Sequence, residues 1–79
     1  MTLRIVWNHP ALVTFYGLRV HEATAVDRAV IRFSETGDGQ LTWVAPHYRL
    51  RAGAFDAVLS IQRDARVITV LRIYRNARV

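Results

Sequence analysis

His47-Tyr48-Arg49-Leu50-Arg51, Phe55-Asp56-Ala57-Val58-Leu59-Ser60-Ile61 and Val67-Ile68-Thr69-Val70-Leu71-Arg72-Ile73-Tyr74-Arg75 follow one another in the last third of this 79-residue chain. Gly53 separates the first run from the second, and the polar turn 62–65 separates the second from the third. Runs rich in β-branched and aromatic residues joined by such short turns read as an antiparallel meander. Strand side chains alternate between faces, so His47, Arg49 and Arg51 share one side and Tyr48 and Leu50 the other. On the last run the odd set (Val67, Thr69, Leu71, Ile73 and Arg75) is more apolar than the even set (Ile68, Val70, Arg72 and Tyr74). The odd set is therefore expected to face the core. Arg49, Arg51 and Arg72 then meet on one open sheet surface, with Tyr74 at its rim.

Upstream of the meander, residues 3–7 are β-branched and aromatic enough for a strand. Asn8 or His9 is placed to cap a helix that Pro10 begins, because proline's missing donor costs nothing in a first turn. Leu12, Phe15 and Tyr16 recur at helical spacing, and residues 17–20 form a junction to a second helix. From residue 21 or 22 to about residue 35, Ala23, Val26, Val30 and Phe33 make one apolar stripe while Asp27, Arg28, Arg32 and Glu35 point away from it. Gly37 is the natural residue to end that helix. Two helices joined so closely are expected to pack as a hairpin over one face of the sheet. Pro46 marks residues 41–44 as an edge approach whose pairing stays open. The expected architecture is an α+β domain over residues 1–79, with a helical hairpin on a four-stranded, mainly antiparallel sheet in the order β-α-α-β-β-β. The first strand is expected to join the meander as a parallel neighbour of the last.

A chain this short buries only about 60% of its unfolded surface and supports one core. It has no cysteine, hence neither disulfide nor thiolate metal site. No apolar run approaches the roughly 18 residues that span a bilayer, so no membrane association and a cytoplasmic location are expected. Eleven arginines and no lysine stand against six carboxylates, for a net charge of +5. Arginine's planar fork suits phosphate or carboxylate recognition, although an arginine-only set also follows from a GC-rich genome. Glycine-rich phosphate loops, His-Glu-x-x-His and cysteine nucleophiles are absent. His9, His21 and His47 lack mutual ligand spacing, so no metal and no cofactor are expected.

The pattern Tyr48-Arg49-Leu50-Arg51, a glycine, the aromatic Phe55, a Val/Leu strand, a charged turn and Val70-Leu71-Arg72-Ile73 resembles the RelE/ParE superfamily of bacterial toxins. Ile5-Val6-Trp7 before Asn8-His9-Pro10-Ala11 is similar to that superfamily's first strand and helix start, and the stretch closing at Gly37-Asp38-Gly39 is similar to its helical hairpin. The resemblance implies the toxin of a type II toxin–antitoxin pair, held inactive by a cognate acidic antitoxin. In the RelE-like branch, cations hold the scissile phosphate of messenger RNA on the ribosome while a 2′-hydroxyl attacks. In the ParE-like branch the target is DNA gyrase and nothing is cleaved.

The resemblance makes Arg49, Arg51, Arg72, Tyr74 and Arg75 the catalytic candidates, and the four arginines also the partner-binding candidates. Proton transfer would fall to His47 or Tyr74, because a guanidinium gives up protons poorly. Two departures lean toward gyrase. Asp56 stands where the superfamily usually carries an arginine, and the region of Arg75, Asn76 and Arg78 only half matches the ribonucleases. No small-molecule substrate is expected. The other readings are a module that binds nucleic acid through phosphates alone, and a degenerate toxin that only holds antitoxin. The plainest alternative is a solvated sheet face with Asp56 paired to Arg49 or Arg72, an ion pair worth under about 1 kcal/mol.

Overall fold

The computed structural model describes residues 2–76. Its elements run β1 (Arg4–Trp7), α1 (His9–Tyr16), α2 (Val20–Thr36), β2 (Leu41–Val44), β3 (His47–Ala52), β4 (Phe55–Gln62) and β5 (Val67–Arg75). The sheet has five strands, not four, in the order β1-β5-β4-β3-β2. The additional strand is β2. Pro46 sits in the Ala45–Pro46 turn, whose peptide is cis, so it removes no ladder hydrogen bond, and Leu41–Val44 pairs antiparallel with β3. β1 runs parallel to β5, and every other neighbouring pair is antiparallel.

Both helices lie on one face. α1 packs on β5 while α2 crosses β1, β4 and β3. Their inward stripe of Ala11, Val26, Val30 and Phe33 meets Leu50, Ala52, Phe55, Ala57, Leu59, Ile68, Val70 and Ile73 of the sheet. Asn8 is the residue before α1, but its side chain makes no capping bond; its carbonyl accepts from the Leu12 N–H at 3.0 Å. α2 starts at Val20, slightly earlier than the apolar stripe marks. The Glu22 carboxylate accepts the Arg19 N–H at 3.0 Å there, which is half of a capping box, since arginine has no acceptor for the other half. Gly37 ends α2 as expected, at φ 78° with its N–H donating to the Phe33 carbonyl.

Strand β5 departs from simple alternation. Val58 pairs with Arg72 but Leu59 pairs with Val70, so Leu71 is an extra residue, a β-bulge. Before the bulge Ile68 and Val70, both fully buried, face the helices, which corrects the expectation that Val67, Thr69 and Leu71 do so. After it the parity resets. Ile73 and Arg75 point to the helix side, and Arg72 and Tyr74 point away from it.

Candidate functional site

The helix-free face of the sheet is ordered in rows by strand register. One row runs Thr42, Arg49, Val58, Arg72 across β2, β3, β4 and β5; the next runs Arg51, Asp56, Tyr74 across β3, β4 and β5. Arg49, Arg51, Arg72 and Tyr74 are all exposed. Three guanidinium groups therefore share one surface, and the Arg49 guanidinium lies over the Tyr74 ring at 5.8 Å from its centroid. Val58, between Arg49 and Arg72, is nearly buried under them although it sits on the open side.

An open hollow of about 430 Å³ lies over this row, with Arg49, Val58, Arg72 and Tyr74 on its floor and His47 at one end. Asn8 and Pro10, at the start of α1, and the β2–β3 turn wall it. The hollow brings residues of five elements, α1, β2, β3, β4 and β5, to one place. Spacing along the sequence carries no sign of it. Neither Arg49 nor Arg72 pairs with a carboxylate among the described residues. A guanidinium without a local counter-ion is free to take an external anion.

Asp56 is paired, but not with Arg49 or Arg72. Its Oδ1 accepts from Asn76 Nδ2 at 3.0 Å and stands 4.0 Å from Arg51 Nε. The pair with Arg51 is long and half-exposed, so its contribution to stability is under about 1 kcal/mol. Asn76 is nearly buried, tied by its N–H to the Ala54 carbonyl at 2.8 Å, and its own Oδ1 has no partner among the described residues. The sequence names Asn76 only within a half-matching region and not as a site candidate, because its contact with Asp56 spans twenty residues.

Arg75 does not join the group. It lies on the helix side, where its guanidinium stacks 4.8 Å from the Phe55 ring centroid and reaches Glu22 of α2 at 3.6 Å. Arg78 lies outside the described residues. The two tryptophans keep off the cationic face, where Tyr74 is the aromatic residue: Trp7 packs on Phe15 at 5.1 Å, and Trp43, 57% exposed, sits edge-on to Tyr48 at 4.8 Å on the helix side. Among the described residues no cluster of three His, Cys, Asp or Glu groups has the geometry to hold a metal ion. Among them, too, no helix is long and apolar enough to cross a membrane.

Solved structures of similar shape share this arrangement of elements over the whole chain. A chain of the archaeal RelE–RelB complex from Pyrococcus horikoshii OT3 superimposes with a TM-score of 0.81 at 16% identity, covering 100% of both chains. The chain has the RelE fold. The isolated E. coli RelE toxin agrees with a TM-score of 0.77 at 14% identity, over 99% of this chain and 88% of that one. A chain of the intact E. coli RelBE toxin–antitoxin complex gives 0.76 at 15%, over 98% and 100%. No family model and no curated protein matches the sequence. At these identities the likeness is one of shape.

Proposed function

We propose that the protein is the toxin of a type II toxin–antitoxin pair, of the RelE kind, which cuts messenger RNA on the ribosome and is silenced by an acidic antitoxin. The observation that carries this reading is the pair Arg49 and Arg72. The two guanidiniums flank Val58 on an open sheet face, without a carboxylate partner among the described residues, with His47 and Tyr74 beside them. Cations so placed hold a phosphate and stabilise the extra negative charge that develops on it during transfer.

The RelE neighbours support the messenger-directed branch over the gyrase-directed one to which Asp56 points in the sequence. Asp56 also weighs less against phosphate than its position in the sequence implies, because it is turned to Asn76 and Arg51 rather than to Arg49 or Arg72. An antitoxin partner is supported by two of those neighbours being toxin–antitoxin complexes, and by the surplus of arginine on this chain. Charge of that kind steers and orients encounter with an acidic segment.

The test is expression without the partner. Rapid cleavage of translated messages, suppressed by co-expression of a neighbouring acidic open reading frame, is the expected outcome. DNA damage with filamentation and intact messages would return the reading to gyrase. Harmless expression would leave a binding module or a degenerate toxin.

A further inference from the structure

The sheet ends on two outer strands, β1 and β2, and they are not alike. β1 carries Arg4, and its Trp7 is packed on Phe15 of α1. β2 is Leu41-Thr42-Trp43-Val44, without a charge, and it exposes 57% of Trp43 and 44% of Val44. Charged side chains on an edge strand deter pairing with another chain, whereas an uncharged, apolar edge invites it. The backbone of β2 is turned the right way for such pairing. The Arg51 N–H donates to the Gln40 carbonyl at 3.0 Å, so ladder alternation points the backbone groups of Thr42 and Val44 at β3 and those of Leu41 and Trp43 outward. No turn or loop among the described residues meets these outward groups with a backbone hydrogen bond.

A strand added there has its side chains sorted by the two faces of the sheet. Those beside Leu41 and Trp43 lie on the helix side, where the exposed Trp43 stands edge-on to Tyr48, and apolar residues suit them. Those beside Thr42 lie on the open side, at a hollow of about 220 Å³ lined by Gln40, Thr42, Arg49, Arg51 and Asp56. Arg49 is the ladder partner of Thr42, whose short side chain leaves the way to it open. Strand spacing puts a residue beside Thr42 about 10 Å from the Arg49 Cα, a gap that a glutamate and an arginine close between them. Asp56 leaves Arg49 to such a carboxylate, because it is turned to Asn76 and Arg51. Net charge selects the same occupant. A second copy laid along this edge would bring its own surplus of +5 and its own arginines to the same face, whereas an acidic segment complements it.

We propose that the outer edge of β2 takes an extended segment of the acidic antitoxin as a sixth strand, one that alternates carboxylates with apolar side chains, and that its carboxylate beside Thr42 holds Arg49. The inference rests on the antitoxin reading above. Its consequence is a mode of inhibition. Arg49 also lines the hollow that holds His47, Arg72 and Tyr74, and its guanidinium lies over the Tyr74 ring. A glutamate at the edge draws that guanidinium toward Thr42 and away from Arg72. The site then loses one of its two guanidiniums while its hollow stays open. Alternation is the mark of the segment, and it holds for either strand direction, because side chains alternate between faces in both.

The test uses the whole protein and a short fluorescein-labelled peptide that alternates glutamate with valine, followed by fluorescence anisotropy and amide hydrogen exchange. The expected result is saturable binding that slows exchange at the Leu41 and Trp43 amides and leaves those of Ile5 and Trp7 on β1 unchanged. Trp43→Lys puts a charge on the edge and Arg49→Ala removes the cation; each is expected to weaken binding at least about 10-fold while the thermal midpoint hardly moves. A peptide of the same composition, with its glutamates and valines in two blocks, is expected to bind at least about 10-fold more weakly. Thr42→Glu supplies the carboxylate from the chain itself, and is expected to weaken the peptide at least about 10-fold and to relieve the growth arrest caused by the unpartnered protein. Equal binding of the two peptides, protection at β1 instead of β2, full arrest by Thr42→Glu, or dimers of the free protein that Trp43→Lys dissociates would overturn the proposal. The same exchange measurement on the complex with the product of a neighbouring acidic open reading frame keeps the two readings apart. A product that neutralises the protein while Leu41 and Trp43 exchange freely overturns this inference and leaves the antitoxin reading, whereas the lack of any neutralising product removes that reading and this inference with it.

Discussion

Arg72 and Arg75 lie three residues apart on the same strand, and the sheet separates them completely. Arg75 is absorbed on the helix side by a carboxylate of α2 and the face of Phe55, whereas Arg72 faces water beside Arg49 with no carboxylate partner among the described residues. Identical side chains thus do opposite work: one holds β5 to the start of α2, and the other is left available. Across the sheet, the helix side pairs Arg75 with a carboxylate, and the open side leaves Arg49 and Arg72 without one among the described residues.

The sharpest way to break this division is to damage the covered face. Leu59→Ala removes a fully buried side chain from the centre of β4 and is expected to cost about 2–5 kcal/mol in denaturant unfolding, a large part of the stability of a domain this small. Next in size, Arg49→Ala and Arg72→Ala are each expected to lower message cleavage by about 10²–10³-fold, while the unfolding midpoint hardly moves. Activity loss accompanied by equal destabilisation would refute the separation of the two faces. The smallest effect belongs to Arg75→Ala. Its half-exposed pair with Glu22 and its stacking on Phe55 together predict a loss of under about 1 kcal/mol and unchanged cleavage, which thermal melts and the same assay would check. A large catalytic loss in Arg75→Ala would return that residue to the site.

The parts of this arrangement that depend on local pattern can be read from the amino-acid order alone. Arg49 and Arg51 share a face because strand parity over five residues admits nothing else, and Gly37 ends α2 because a left-handed position after an amphipathic stripe calls for it. Simple alternation along β5 puts Arg72 on the correct side but Ile68 and Val70 on the wrong one. The bulge between them follows from pairing with another strand and leaves no mark in its own strand's composition. Contacts over long separations are equally invisible. Glu22 with Arg75 and Asp56 with Asn76 join residues that nothing in the intervening sequence brings together. The pairing of β2 is hidden for a related reason: Pro46 reads as a strand breaker unless it is known to occupy the turn.

The extra residue at Leu71 leaves the molecule a freedom in how its length can vary. Leu71 has no opposite number on β4, so taking it out makes Val70–Leu59 and Arg72–Val58 consecutive rungs of a regular ladder, with the guanidinium and the phenol still facing water and Ile73 still beneath the helices. A one-residue deletion at this point is therefore a change the lineage can absorb without turning the end of the strand over.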